Sequence, residues 1–254
     1  MTETVGTHRW TALDGIELAY HVLGEGEPLL LLHGLFSNAD TNWIKYGHAE
    51  RIAAAGYRVV MPDLRAHGDS DAPTDASAYP NGILGRDLEE LVGHLGLMPG
   101  EYDLGGFSLG ARTVVQGVGE GLRPRRALLC GMGLGGLTGW DERQAFFLGA
   151  VDNYETAKRG DPDFMAIAFM KTMGIDRDAA RLLLPTFTDA KEEWLDAFSM
   201  PTAVICGEED RDNGDPVALA DHLPDAQHVP IPGTHMSCVT KKELGEAIAA
   251  FLTA

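Results

Sequence analysis

The chain has few cysteines, few basic side chains and no long apolar run in its 254 residues. No stretch approaches the roughly 20 apolar residues that a membrane-spanning helix needs. The N-terminus also lacks the basic segment followed by an apolar segment that is typical of a secretory signal. These absences argue against a membrane protein and a secreted one, so we expect a soluble, cytoplasmic protein.

The three cysteines are Cys130, Cys206 and Cys238, an odd number spread widely along the chain. Each lies in or beside an apolar stretch, which favours buried free thiols over disulfide bonds. The histidines and cysteines show none of the paired short spacings that bring metal ligands together. We therefore expect no metal site and no cofactor.

Acidic residues outnumber basic ones, with 38 Asp and Glu against 20 Lys and Arg and a formal net charge of −18. Nucleic acids and anionic membrane surfaces are bound largely through Lys and Arg, which neutralise phosphates and release counterions. The composition therefore argues against both of these partners. A small-molecule substrate is the expected partner, and the sequence does not indicate an oligomeric state.

Short apolar runs alternate with amphipathic helical patterns over most of the chain. The eight predicted strands are 7–12, 16–22, 28–32, 57–61, 102–105, 126–130, 202–206 and 227–231. The predicted helices lie near 41–55, 82–95, 109–120, 215–223 and 240–253. The first two strands flank Asp14-Gly15, a hairpin turn signal, and the others alternate with helices. This order predicts an α/β fold with a mostly parallel eight-stranded sheet and helices on both faces.

One segment interrupts the alternation, because residues 133–198 contain no convincing strand and are rich in aromatic side chains, with 9 of the 19 in the chain. We interpret this segment as a helical cap inserted after the sixth strand, with residues 1–132 and 199–254 forming the core. Most of its aromatic residues are expected to pack inside the cap, and the remainder to line a pocket.

A serine lies in the motif Gly106-Phe107-Ser108-Leu109-Gly110, directly after a predicted strand. This pattern is typical of a nucleophile raised on a sharp turn between a strand and a helix, where flanking glycines leave room for the backbone. The amide of Leu109 then lies at the start of the helix, where a developing negative charge is favoured.

This motif and two other segments, 30–36 and 62–70, resemble the α/β-hydrolase fold superfamily, and the resemblance extends over essentially the whole chain. It implies an oxyanion hole formed by the backbone amides of Leu35 and Leu109. It also implies that His33 and His67, within the two segments, are structural turn residues rather than catalytic ones.

A serine hydroxyl needs a base to remove its proton and a carboxylate to orient that base. The family order is serine, acid, histidine, and Asp210 and His235 follow the seventh and eighth predicted strands at their carboxyl ends. We therefore predict a triad of Ser108, His235 and Asp210. Asp212 is the alternative acid, because several carboxylates crowd the same loop.

A competing interpretation is dinucleotide binding, because residues 131–136 match Gly-x-Gly-x-x-Gly and Asp152 follows at a suitable distance. That function requires a helix to begin within the motif. Further glycines over 134–140 argue against such a helix, so a hinge is the preferred interpretation.

The predicted function is a serine hydrolase that forms an acyl-enzyme with a small to medium, moderately hydrophobic carboxylic ester. Phe36 and Phe107, together with the two oxyanion leucines, are expected to shape an apolar pocket. The same triad also serves carbon–carbon bond and enol-lactone hydrolases, which remain the alternative. A non-catalytic receptor of the same fold is a further alternative. The family resemblance disfavours epoxide or haloalkane hydrolysis, because relatives with those activities carry an aspartate in place of Ser108.

Three arginines are candidates for binding a substrate carboxylate, namely Arg65, Arg112 and Arg211. Surface arginines in salt bridges are the commoner case. We therefore expect that role for them rather than substrate binding.

Overall fold

The computed structural model describes residues 4–254 and contains one eight-stranded sheet. The strands are β1 (Gly6–Thr11), β2 (Glu17–Leu23), β3 (Glu27–Leu32), β4 (Tyr57–Pro62), β5 (Asp103–Phe107), β6 (Arg126–Cys130), β7 (Thr202–Gly207) and β8 (Ala226–Ile231). Their order across the sheet is β1-β2-β4-β3-β5-β6-β7-β8. β2 runs antiparallel to β1 and β4, and the remaining pairs are parallel. The predicted fold class is confirmed.

The register of the parallel strands brings their carboxyl ends to one edge of the sheet. Leu32 of β3 pairs with Gly106 of β5, and Cys130 of β6 pairs with Phe107 of β5. At the other end of this edge, β7 pairs with β8 as far as Gly207. The loops that follow these strands therefore start side by side, and functional residues of open α/β sheets collect at such an edge.

Eleven α-helices are present in the described part of the chain. They are α1 (His48–Ala54), α2 (Ile83–His94), α3 (Leu109–Gly119), α4 (Leu134–Thr138), α5 (Trp140–Asp152), α6 (Phe164–Met173), α7 (Arg177–Leu183), α8 (Glu192–Asp196), α9 (Pro216–His222), α10 (His235–Cys238) and α11 (Lys242–Thr253). Helices α2 and α3 pack against one face of the sheet, and α1 and α11 against the other. Both faces are therefore covered, as a mostly parallel sheet requires.

The apolar runs of the central strands supply both faces of the core. In β3, Leu30 and Leu32 face the α2 and α3 side, while Leu29 and Leu31 face the α1 and α11 side. Successive residues of a strand point to opposite faces of the sheet. Since helices cover both faces, all four side chains are fully buried. This explains why the strand appears in the sequence as a continuous apolar run.

Two helix predictions were wrong in detail. The predicted helix near 41–55 is divided into a π-helical turn, Asp40–Ile44, and α1, because Gly47 between them has a left-handed φ of 72°. Helix α4 begins at Leu134, within the glycine-rich stretch where no helix was expected. Contacts with a facing loop, described below, account for this short helix.

Residues 133–198, all of which are described, contain α4 to α8, a 3₁₀ turn at Leu184–Thr186 and no strand. An isolated bridge joins Arg159 and Asp161. The segment is helical, as expected, while its division from the core as a cap stays a prediction.

The three cysteines are buried and free, as predicted. Burial raises the pKa of all three thiols, so each is protonated at neutral pH. Within residues 4–254, no helix combines the length and the apolar character needed to cross a membrane.

Candidate active site

Ser108 occupies a single-residue turn between β5, which ends at Phe107, and α3, which begins at Leu109. Its backbone has φ 54° and ψ −110°, a conformation that costs a residue other than glycine on the order of 1–3 kcal/mol. The flanking glycines make this turn sterically feasible. A Cβ atom on Gly106 would lie 2.3 Å from the carbonyl carbon of Gly110, and one on Gly110 would lie 2.3 Å from the Leu32 oxygen.

A chain of hydrogen bonds joins the three predicted triad residues. The ring Nε2 of His235 lies 3.1 Å from Oγ of Ser108, and its Nδ1 lies 2.8 Å from Oδ2 of Asp210. A carboxylate only accepts hydrogen bonds, so the ring carries its proton on Nδ1 and leaves Nε2 free to accept the serine proton. His235 and Asp210 are 8% and 5% exposed. The structure thus brings these residues together.

Asp210, rather than Asp212, holds the histidine. Its second oxygen accepts the backbone N–H of Asp212 at 3.0 Å, while the Asp212 residue itself is exposed. Burial acts to raise the pKa of Asp210. The hydrogen bonds from His235 and from the Asp212 amide, together with the positive charge of Arg143, outweigh burial and hold this pKa below its ordinary value. Asp210 is therefore a carboxylate at neutral pH.

The two predicted oxyanion amides have no acceptor among residues 4–254. The N–H groups of Leu35 and Leu109 make no hydrogen bond to another group of the described chain. The loop that carries Leu35 lies against the serine, since a Cβ atom on Gly34 would be 3.6 Å from Cβ of Ser108. Free amides beside a serine are the donors that an oxyanion hole requires.

Side-chain acceptors fix the backbone of this loop, and one of them was missed by sequence reasoning. Oδ1 of Asn42 accepts the Gly34 N–H at 3.0 Å, and Nε2 of His67 accepts the Phe36 N–H at 3.0 Å. Phe36 is held at a φ of 58°, which is rare for a bulky side chain. Asn42 lies in the π-helical turn, and no motif in the sequence marks it.

His33 and His67 are structural, in agreement with the family resemblance. Nε2 of His33 accepts the N–H of Leu64 at 2.9 Å, so both rings accept backbone amides at Nε2 and carry a proton on Nδ1. The Nδ1–H groups donate to the carbonyls of Gly34 and Arg65. Burial lowers the pKa of both rings, that of His67 to about 3. Both histidines are therefore neutral at physiological pH.

A cavity of about 530 Å³ opens onto Ser108 and His235. Its walls include Leu35, Phe36 and Leu109. Four aromatic residues of the helical segment also line it: Trp140, Phe146, Phe147 and Phe169. The wall is mostly apolar, which suits a moderately hydrophobic ligand.

A second cavity of about 130 Å³ also reaches Ser108 and His235. Phe107 lines this smaller cavity rather than the larger one, and its ring lies 4.9 Å from the ring of His235. Polar side chains of Ser37 and Thr41 contribute to the wall. The serine therefore lies where a large and a small cavity meet, both with mostly apolar walls.

The glycine-rich stretch packs against the loop that follows Asp210. The N–H of Leu134 donates to the Asp215 carbonyl at 3.2 Å, and that of Gly136 to the Asn213 carbonyl at 2.7 Å. A Cβ atom on Gly133 would lie 2.6 Å from the Gly214 carbonyl carbon. The glycines thus allow two backbones to meet, and amides that would bind a pyrophosphate are already occupied. This argues against dinucleotide binding.

In the part of the chain that the structure describes, two groups of side chains are close enough together to hold a metal ion. They are His21 with Asp63 and Asp69, and His235 with Asp210 and Asp212. Hydrogen bonds already engage the buried members, since Asp63 accepts from His21 and from the amides of Ala39 and Asp69. These are the residues that could coordinate a cation, and the prediction that no metal is used stays untested.

Comparison with known proteins identifies the family. A sequence model of the alpha/beta hydrolase family matches residues 29–242, and the chain therefore belongs to that family. Among curated relatives, the soluble epoxide hydrolase of Corynebacterium sp. (strain C12) is 33% identical over 90 residues, which is 35% of this chain. That match spans only 29% of the relative's length.

Solved structures resemble the chain over nearly its whole length. A thermophilic esterase from Thermogutta terrifontis is 25% identical with a TM-score of 0.78, and the match covers 98% of both chains. The enol-lactonase from Burkholderia xenovorans LB400 is 19% identical with a TM-score of 0.75, covering 97% of this chain and 100% of that one. The second likeness shows the fold alone.

Proposed function

We propose that this protein is a serine hydrolase that cleaves small to medium, moderately hydrophobic carboxylic esters through an acyl-enzyme. The observation that carries the proposal is the hydrogen-bonded chain from Ser108 through His235 to Asp210, with distances of 3.1 and 2.8 Å. The family membership and the likeness to an esterase of 25% identity support it.

In the first half of the reaction, the serine proton moves to Nε2 of His235 as Oγ of Ser108 bonds to the ester carbonyl carbon. The resulting oxyanion accepts hydrogen bonds from the amides of Leu35 and Leu109, each worth on the order of 10²- to 10³-fold in rate. His235 then protonates the alcohol oxygen as the carbon–oxygen bond breaks. The alcohol leaves and an acyl-serine remains.

In the second half, His235 removes a proton from water, and the hydroxide oxygen bonds to the acyl carbon. The second oxyanion collapses, Oγ of Ser108 leaves and takes the proton back from His235, and the carboxylic acid is released. Asp210 keeps the ring in the reactive orientation and stabilises its protonated form in both halves.

We also propose that residues 133–198 act as a cap over this site. The cavity wall supports this role, because one side comes from Leu35 and Leu109 of the core and the other from Trp140, Phe147 and Phe169. A cap of this kind excludes water and selects substrates by shape.

We propose ester hydrolysis rather than the epoxide hydrolysis named in the curated relatives, because the nucleophile here is a serine. By the family resemblance, members that open epoxides carry an aspartate at the position of Ser108. A serine leaves an acyl-enzyme that water can hydrolyse, which is the course of ester cleavage. The receptor alternative gains no support from a histidine and a carboxylate already aligned with the serine.

The test is hydrolysis of 4-nitrophenyl butanoate by the purified protein. We expect turnover that falls at least about 10³-fold in Ser108→Ala and in His235→Ala, with unchanged circular dichroism. Ser199→Ala, at an exposed serine outside both cavities, is the matched control and should retain full activity. Turnover retained by Ser108→Ala, or no turnover of aryl esters by the unmodified protein, would contradict the proposal. An enol-lactone and a vinylogous diketone tested in parallel distinguish the alternative hydrolases.

A further inference from the structure

Two arginines line the large cavity beside the proposed nucleophile. Arg112 lies one helical turn after Ser108 on α3, and its backbone N–H donates to the Ser108 carbonyl at 3.0 Å. Arg143 lies on α5 and contributes to the wall of the same cavity. Arg112 is only 8% exposed and Arg143 is half-buried, so the expectation that Arg112 is a surface residue in a salt bridge was wrong.

Neither guanidinium has a carboxylate within salt-bridge distance in the described part of the chain. Arg112 donates to the backbone carbonyls of Thr188, at 2.6 Å, and Gly136. Its guanidinium carbon lies 5.3 Å from the centre of the Trp140 ring. Arg143 donates to the backbone carbonyl of Asp212. These partners are neutral, so they orient the cations without neutralising them.

Arg65 is a contrasting case, because it is a buried arginine with a structural role and its charge is paired. Its guanidinium is fully buried and forms ion pairs with Asp87 at 2.8 Å and Asp14 at 2.6 Å. Arg211 lines neither cavity and donates to backbone carbonyls of its own loop. Burying a cation without a partner anion costs free energy. Arg112 and Arg143 have no such partner, so an anionic ligand in the cavity would stabilise them.

The electrostatics of the cavity agree with this contrast. Burial lowers the pKa of Arg112 to about 10, the negative charge of Asp189 opposes this shift, and the positive charge of Arg143 adds to it. Burial also lowers the pKa of Arg143, against the charges of Asp212 and Asp210. Both side chains nevertheless carry a positive charge at neutral pH, in a space with mostly apolar walls.

We infer that the substrate carries a carboxylate, which Arg112 and Arg143 bind in the large cavity while Ser108 attacks an ester carbonyl of the same molecule. This inference rests on the proposed ester hydrolysis and specifies its substrate class. A guanidinium has five N–H donors, and the backbone carbonyls engage two of those of Arg112. The remaining donors suit a planar carboxylate, and the apolar walls strengthen the ion pair.

Two matched pairs of esters test the inference. The first pair is 4-nitrophenyl hydrogen adipate and its neutral isostere, 4-nitrophenyl 6-methylheptanoate, with the carboxylate on the acyl part. The second is 4-carboxyphenyl butanoate and 4-isopropylphenyl butanoate, with the carboxylate on the leaving group. We expect kcat/KM to favour the charged member of one pair by about 10- to 100-fold. In Arg112→Met and Arg143→Met this ratio should fall towards one, and Arg112→Lys should restore part of it.

Arg177→Met, at an exposed arginine of α7, removes the same charge away from the cavity and is the control for net charge. It should leave the ratio unchanged. A purely structural role of Arg112 predicts equal losses for both members of a pair, and a ratio unaffected by its replacement would overturn the inference.

Calorimetric titration of Ser108→Ala with the same esters separates this inference from the proposed function, because binding requires no turnover. Tighter binding of a charged ester, lost in the double variants with Arg112→Met or Arg143→Met, supports the inference even if hydrolysis is absent. Equal binding of the two members of both pairs, or binding of neither member, overturns it even if neutral esters are hydrolysed through Ser108.

Discussion

Replacing His67 by glutamine should flatten the dependence of stability on pH. The imidazole is 2% exposed, accepts the Phe36 N–H and donates to the Arg65 carbonyl. Both bonds require a neutral ring with its proton on Nδ1. Protonation would place a second N–H against the Phe36 amide and a charge in the interior, so the folded protein resists it.

The magnitude follows from the two pKa values. An unfolded histidine has a pKa of about 6.5, whereas burial lowers the pKa of His67 in the folded protein to about 3. The unfolded chain therefore binds one more proton at this site between these values, and the stabilisation present above pH 6.5 is lost as the pH falls. One proton corresponds to about 1.4 kcal/mol per pH unit, or roughly 2–3 kcal/mol between pH 6 and pH 4.

Urea unfolding at a series of pH values from 4 to 8 measures this effect. At pH 8 the free energy of unfolding of His67→Gln differs from that of the unmodified protein only through the altered contacts. Below pH 6 the difference in the free energy of unfolding should shrink by about 1.4 kcal/mol per pH unit, because only the unmodified protein loses the stabilisation that depends on a neutral His67. The other titrating groups are common to both proteins and cancel in the difference. Parallel stability curves over the whole range would refute the neutral, buried state of His67.

Substitutions at three further positions, two of them with a matched control, test separate parts of the site. Asn42→Ala removes the acceptor of a loop amide and should lower kcat about 3- to 10-fold, whereas Asn42→Asp, which keeps the acceptor, should recover most of it. Asp210→Asn should lower kcat by on the order of 10⁴ with little change in KM, and an effect under about 10-fold would exclude Asp210 as the acid. Gly106→Ala should destabilise the fold by about 3 kcal/mol or more, because its Cβ would lie 2.3 Å from a backbone carbon. Gly93→Ala, with open space around it, should stabilise helix α2 slightly in the same thermal unfolding assay.

The architecture could be predicted because buried parallel strands are continuous apolar runs and leave a clear signal. The runs that became β3, β5 and β7 are buried on both faces, so few polar residues interrupt them. The break at Gly47 was harder to predict, since a single glycine is tolerated inside many helices. Helix α4 escaped prediction because its glycines are explained by contact with residues 213–215, which are distant in sequence.

The candidate site was predictable to the extent that its residues lie in motifs or at strand ends. Ser108 follows β5 directly, and Asp210 and His235 lie in the loops that leave the carboxyl ends of β7 and β8, so all three lie at one edge of the sheet. Asn42 and Arg143 belong to no motif, and their relation to the site arises only from the tertiary structure. Burial of Arg112 could not be read from the sequence, because a charged residue on an amphipathic helix is usually exposed.

Labelling with a fluorophosphonate probe tests the central claim most directly, because the probe reacts with a serine only when a base activates it. We expect one adduct per chain, located at Ser108 by peptide mass spectrometry, and its loss in His235→Ala and after heat denaturation. Absence of an adduct in the folded protein, or equal labelling of His235→Ala, would contradict the account.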